Sequence, residues 1–97
     1  MSESSEHETL EKARRETARW RIMKILNAGR PGKLGESLLH EVLMAAGVNL
    51  TEAGVRRELK YLEDRKLVTL HGEGTPAWLA ELNHHGIDVV EYSVDCY

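Results

Sequence analysis

The stretch that most constrains the fold is TEAGVRRELKYLEDRKLV, residues 51–68, in which an amphipathic helix runs directly into a strand. Val55, Leu59 and Leu62 are spaced four and three residues apart, which places them on one stripe of an α-helix. Thr51 is suited to cap this helix, because its hydroxyl can accept a hydrogen bond from a free amide of the first turn. The segment therefore predicts a helix whose apolar stripe faces a core.

The face turned away from that apolar stripe carries small or basic residues, namely Ala53, Arg56, Arg57 and Lys60. Such a face is suited to a DNA major groove, where arginine reads guanine through two hydrogen bonds. The alternative is a solvated face with local ion pairs, which is what charged helix faces usually are. Taken alone, the segment favours this second interpretation.

Length and composition predict one domain. With 97 residues and 41% hydrophobic content, the chain can build one modest core. Residues 1–7 are rich in Ser and Glu and predict a disordered tail, so the expected domain spans residues 8–97. A single cysteine, Cys96, excludes an internal disulfide and fits a reducing compartment. No apolar run approaches the roughly 18 residues of a membrane span, and we expect a cytoplasmic protein with no membrane association.

The charge distribution is more informative than the net charge of −3, which by itself argues against nucleic-acid binding. Residues 10–34 carry eight Lys or Arg side chains and two acidic ones. Residues 67–97 carry five acidic side chains and no Lys or Arg. This pattern predicts a molecule with a basic face and an acidic face.

The order of the predicted elements is helix, helix, helix, strand, strand, helix. Gly29, Pro31 and Gly32 end the first helix, and Gly47 supplies a left-handed end for the second. Asn83 is suited to cap the last helix. The predicted boundaries are 8–28 for the first helix, 36–46 for the second, 51–66 for the third, 67–71 and 77–82 for the strands with a hairpin loop at 72–76, and 83–93 for the last helix.

Leu50 to Val68 resembles the recognition-helix segment of winged helix-turn-helix proteins. It has a Thr cap, Val55 four positions on, an Arg-rich middle, Leu59 and Leu62, and a Leu-Val pair that begins the wing. In size and order of segments the chain is similar to winged-helix proteins of Mu-like transposable phages, which are grouped loosely with the ArsR and MarR regulators. The resemblance covers roughly residues 15–93 and implies a mainly α fold with a small β-hairpin, a phage or prophage transcriptional regulator, and DNA as the partner.

Two features of the sequence depart from the pattern of that superfamily, one before the wing and one at its tip. Lys66 stands where a glycine usually separates the recognition helix from the wing, which predicts a non-glycine residue with left-handed dihedral angles. The wing tip offers His71, Glu73 and Thr75 in place of the usual Arg or Lys. Because Glu73 would be repelled by phosphate, we expect DNA contacts to be made by the third and first helices.

Two functional hypotheses follow. In the leading one, double-stranded DNA is bound by a homodimer formed through the first or last helix, with Ala53, Arg56, Arg57 and Lys60 facing the bases. Phosphate contacts are expected from Arg15, Arg19, Arg30 and Lys33. In the competing hypothesis, the domain is a protein-interaction module whose acidic wing and C-terminal helix bind another protein.

Catalytic and metal chemistry find little support in the sequence. His84, Asp88 and Cys96 could supply metal ligands, but no Cys-x-x-Cys or paired-His spacing accompanies them, so we expect no metal site. Cys96 has no organised histidine and acid partner, and Gly72-Glu73-Gly74 is a hairpin tip and not a phosphate-binding loop. We expect neither an enzyme nor a cofactor.

Overall fold

The computed structural model describes residues 3–95, with side chains described for residues 5–92. It contains four helices and three short strands in the order α1, β1, α2, α3, β2, β3, α4. Their bounds are Glu3–Ala28 for α1, Leu34–Gly35 for β1, Glu36–Ala45 for α2, Glu52–Asp64 for α3, Val68–His71 for β2, Leu79–Leu82 for β3 and His84–Asp95 for α4. The predicted fold class, mainly α with a small β-hairpin, is confirmed.

The three strands form one antiparallel sheet in the order β1-β3-β2. Val68 pairs with Leu82 and His71 with Leu79, so β2 and β3 make the hairpin that we call the wing, residues 68–82. The sequence did not predict β1, which pairs with β3 through only two residues. Two residues are too few to show the alternation from which a strand is recognised.

The core lies between the helices and the inner face of the sheet. Its buried side chains come from every helix and from both wing strands, and α3 contributes the predicted stripe of Val55, Leu59 and Leu62. The remaining buried hydrophobic side chains of this cluster are Ile22, Met23, Leu26, Leu39, Leu43, Val68, Leu70, Ala80, Leu82 and Val90. The spacing of the apolar residues therefore identified the buried face of α3 correctly.

The caps of α3 and α4 follow the sequence prediction. Thr51 Oγ1 accepts a hydrogen bond from the Gly54 amide at 2.9 Å, and Asn83 Oδ1 accepts one from the Gly86 amide at 2.9 Å. Gly47 and Lys66 have φ angles of 84° and 62°, so both left-handed positions are confirmed. Side-chain caps therefore mark the starts of α3 and α4, and left-handed residues follow the ends of α2 and α3.

Several predicted boundaries were wrong. Residues 3–7, expected in a disordered tail, continue α1 toward the N-terminus, while residues 1–2 lie outside the described part of the chain. Helix extension is favourable once a helix is nucleated, and the glutamates there are good helix formers. The second wing strand begins at Leu79 and not at Ala77, and α4 continues two residues past Ser93.

The described helices include none that is both long enough and apolar enough to cross a membrane. Among the described residues, no group of three or more His, Cys, Asp or Glu side chains is arranged to hold a metal ion. Cys96, one of the ligands considered for such a site, lies outside those residues.

Candidate nucleic-acid interface

The outward face of α3 is a stripe of four exposed residues that we call the exposed stripe: Ala53, Arg57, Lys60 and Asp64. Their spacings of four, three and four put them opposite the buried Val55, Leu59 and Leu62. The stripe lies between the wing on one side and α1 on the other. Three of the four residues predicted to face bases belong to it.

Arg56, the fourth predicted base-facing residue, is directed away from the exposed stripe. It lies about 100° around the helix from Arg57, on the side of α2 and the wing. Its guanidinium donates two hydrogen bonds to the Glu36 carboxylate at the start of α2 and a third to the Pro76 carbonyl at 3.0 Å. It also stacks over the Trp78 ring, 4.7 Å from the centroid. In this geometry Arg56 connects α2, α3 and the wing.

Glu36 is the centre of this connection. Besides binding Arg56, it accepts a hydrogen bond from the Trp78 amide at 3.3 Å. The hydrogen bonds from Arg56 lower the pKa of Glu36 below its ordinary value of 4.5, although partial burial acts in the opposite direction. The same contact raises the pKa of Arg56. Both groups are therefore charged over the whole physiological range.

Lys60 is also held by carboxylates of the same chain. Its Nζ donates to Glu63 at 2.8 Å and to Glu73 of the wing loop at 2.9 Å. These hydrogen bonds raise the pKa of Lys60, and the one from Lys60 lowers the pKa of Glu73. Glu73 at the wing tip thus folds back onto Lys60, one of the two cations of the exposed stripe.

Arg57 is the least constrained cation of α3. Its side chain is 70% exposed, and its Nε lies 3.5 Å from the neighbouring Glu58 carboxylate, which draws the guanidinium toward α1. A contact of this length at an exposed site holds a side chain only weakly. Arg57 is therefore available to an external anion.

Arg19, predicted to bind phosphate, supports the core instead. Its Nε donates to Glu58 at 2.6 Å, and its guanidinium stacks over the Tyr61 ring, 3.6 Å from the centroid. Glu58 is only 1% exposed, and a buried carboxylate requires a charged partner. In this structure Arg19 supplies that partner, so its guanidinium is already engaged.

The other three predicted phosphate contacts are widely distributed. Arg15 is exposed on α1 and lines a pocket together with Arg19 and Arg57. Arg30 donates to Asn27 at 3.1 Å and lies 3.5 Å from Glu91 of α4, which directs it away from α3. Lys33 is exposed in the turn before β1. The structure brings only Arg15 and Arg19 close to α3.

The carboxylates that hold Arg19, Arg56 and Lys60 include three that were not predicted from the sequence, namely Glu58, Glu36 and Glu73. Glu58 is three residues after Val55 and four before Leu62, so helical spacing alone placed it at the edge of the buried face. Glu36 and Glu73 are distant from α3 in sequence, and only the fold brings them to Arg56 and Lys60. The cations of α3 were visible in the sequence, whereas two of their four carboxylate partners, Glu36 and Glu73, were not.

No protein-family model matches the sequence, and no curated protein matches it. Among solved structures, the chain is similar to MepR of S. aureus in a crystal structure of its complex with DNA. The TM-score is 0.63 at 18% sequence identity, and the match covers 94% of this chain and 72% of the MepR chain. At this identity the similarity shows the fold, which is a winged helix.

Proposed function

We propose that this protein binds double-stranded DNA with α3 in the major groove and acts as a transcriptional regulator. The exposed stripe carries the proposal, because Ala53, Arg57 and Lys60, followed by Asp64 at its C-terminal end, are the outward residues of a helix that no other described element covers. A helix fits the width of the major groove, and basic side chains on its outer face can reach base edges and phosphates. The fold shared with MepR, whose structure was determined with DNA, supports DNA binding.

The structure changes which residues we assign to this contact. Lys60 can reach DNA only by exchanging Glu73 or Glu63 for a base or phosphate. Arg56 would have to leave Glu36, Pro76 and Trp78, so we assign it to the support of the wing and remove it from the base-facing set. A phage or prophage setting for the regulator remains what the sequence resemblance implies.

The proposal is tested by Ala53→Glu. A carboxylate at the N-terminal end of the exposed stripe, one turn before Arg57, would oppose the phosphates, so duplex binding should fall at least tenfold at low salt. The fold should survive, because an acidic side chain in the first turn of a helix is favourable. Ala45→Glu, at an exposed position of α2, makes the same change away from α3 and should leave binding close to that of the wild type.

Fluorescence anisotropy with a labelled duplex, over a range of salt concentrations, measures both variants and the wild type. Wild-type binding should weaken steeply with salt, as the release of counterions requires. A wild type that binds no duplex even at low salt would remove the proposal.

The second candidate is a protein-interaction module, which the pairing of Arg56 with Glu36 and of Lys60 with Glu73 favours. Those ion pairs leave the wing side of α3 close to neutral, and α4 adds exposed acidic and aromatic side chains such as Asp88, Glu91 and Tyr92. This candidate predicts no duplex binding and no response to Ala53→Glu in the same assay. Absence of salt-dependent binding would therefore select it.

Homodimerisation through α1 or α4 belongs to the proposal, because one domain of this size contacts too little DNA for high specificity. Leu10 of α1 is 49% exposed and lines an apolar groove with Val48 and Leu50. Static light scattering should give the mass of a dimer. A monomer at high protein concentration would contradict this part of the proposal.

A further inference from the structure

A pocket of about 480 Å³ lies between α1 and α3, beside the exposed stripe. We call it the arginine pocket, because three of its six lining residues are arginines. It is lined by Glu11, Arg15, Arg19, Arg57, Glu58 and Tyr61. Neither the fold nor the contacts described above assigns it a role.

The charges in the arginine pocket do not cancel locally. Glu58 is neutralised by Arg19 at 2.6 Å, and Glu11 is neutralised by Arg14 at 3.1 Å, outside the pocket. Among the side chains that the structure describes, Arg15 has no ion-pair partner, and Arg57 has only its 3.5 Å contact with the already paired Glu58. Two guanidinium groups, one from each helix, are therefore left for an anion that enters the pocket.

The wing side of α3 has the opposite character. Lys60 is bound there by Glu63 and Glu73, and Arg56 is bound by Glu36. A second pocket on that side, about 370 Å³ in volume, includes Glu36 and Glu52 in its lining. A DNA strand that follows α3 would meet Arg15, unpaired among the described side chains, and the weakly held Arg57 on the α1 side, and firmly paired cations on the wing side.

We propose that the arginine pocket binds a phosphodiester of the DNA backbone between Arg15 and Arg57. This inference rests on the proposed function, adds the side of α3 on which the backbone is held, and moves Arg57 from the base-facing set to the phosphate contacts. Arginine suits this task, since its planar guanidinium donates two hydrogen bonds to phosphate oxygens. Arg19 neutralises the buried Glu58 carboxylate at 2.6 Å, and Glu58 also contacts Arg57 at 3.5 Å on the side of the pocket.

The test measures the salt dependence of duplex binding by Arg15→Gln, Arg57→Gln and the double variant. If both arginines hold one phosphate, either single change should remove most of one counterion-release contribution. The negative slope of log K against log salt should then become shallower by about 0.9. The double variant should lose little more, because groups that share a partner are not additive. Circular dichroism should show the same helical content in all variants.

Lys24→Gln is the matched control. Lys24 is exposed on α1 nine residues after Arg15, which places it about two and a half turns away on the opposite face. The Lys24→Gln variant makes the same change in net charge and should leave the slope of log K against log salt unchanged. If the Arg15 and Arg57 variants behave like Lys24→Gln while the wild type binds DNA, the phosphate site is overturned and the proposed function stands. A wild type that binds no duplex overturns both.

A further arm distinguishes a free anion from the DNA backbone. Inorganic phosphate is exchanged for chloride at constant ionic strength, and the melting temperature of each variant is measured. Stabilisation by phosphate that needs Arg15 and Arg57, combined with duplex binding that does not need them, would assign the pocket to a small phosphorylated ligand and overturn the proposal. Loss of duplex binding in the two arginine variants, with the nonadditivity described above, supports it.

Discussion

At the scale of single residues, the acidic side chains decide what each cation of α3 can do. Glu36 holds Arg56 against the wing, Glu73 holds Lys60 from across the wing loop, and Glu58 lies 3.5 Å from Arg57. A count of basic residues on α3 would overstate its positive charge. Only Arg57 keeps most of its side chain in solvent.

Glu73→Gln should strengthen nonspecific DNA binding. The substitution removes a carboxylate that competes with phosphate for Lys60, so we expect affinity for a random duplex at low salt to rise about two- to fivefold, the range set by the strength of an exposed ion pair. Anisotropy titrations measure the change. Glu41→Gln, an exposed carboxylate on α2, alters net charge equally and should have a smaller effect. Equal effects of the two variants would mean that Glu73 does not compete for Lys60.

At the scale of elements, the backbones approach closely at the junction of α3, β2 and α4. A Cβ atom built on Gly86 would lie 2.0 Å from the Leu67 carbonyl oxygen, which is far inside contact distance. Asn83 fixes the same junction by donating to the Lys66 carbonyl at 2.7 Å. The left-handed Lys66 lies between the end of α3 and the start of β2. Its hydrogen bond from Asn83 therefore ties this connection to the start of α4.

Gly86→Ala should therefore destabilise the protein by about 3 kcal/mol, since an added methyl group that meets backbone forces the helix to move. Urea unfolding followed by circular dichroism gives the free energy of unfolding. Gly35→Ala is the control, because its added Cβ would lie 3.9 Å from the nearest side-chain atom of Leu79, an ordinary contact. Similar losses in the two variants would show that the Gly86 contact is less close than described.

Elements were more predictable from the sequence than their partners. The stripe of Val55, Leu59 and Leu62, the cap at Thr51 and the left-handed Lys66 each depend on neighbouring residues, and each was predicted correctly. The pairing of Arg56 with Glu36, across 20 residues, and of Lys60 with Glu73, across 13, depends on how the helices and wing pack together. No local pattern encodes such contacts, so the sequence did not predict that Glu36 holds Arg56 or that Glu73 holds Lys60.

At the scale of the whole molecule, the ion pairs join elements that are distant in sequence. Because they contain carboxylates, the free energy of unfolding should depend on pH. The pKa of Glu36 is lowered by its hydrogen bonds from Arg56, so this pair contributes stability above the ordinary carboxyl value of 4.5 and loses it as pH falls through the lower folded value. The lowered pKa of Glu73 acts in the same direction.

Glu36→Gln should therefore flatten the fall in stability as pH drops below the ordinary carboxyl value of 4.5, because one carboxyl group that binds a proton more readily when unfolded has been removed. Urea unfolding midpoints at several pH values measure this dependence. Glu41→Gln, on the same helix, should keep the steeper dependence of the wild type. Parallel curves for the wild type and Glu36→Gln would contradict a pKa lowered by folding.

The fold-back of the wing tip onto Lys60 also has a kinetic consequence for the proposed function. Electrostatic attraction speeds the encounter of a protein with DNA only where its charges act at long range, and paired charges on a chain with a net charge of −3 do so weakly. Encounters should then occur at rates nearer the roughly 10⁵ to 10⁶ M⁻¹s⁻¹ of weakly steered partners. Such a protein would distinguish one site from another chiefly by how long it stays bound and not by how quickly it arrives.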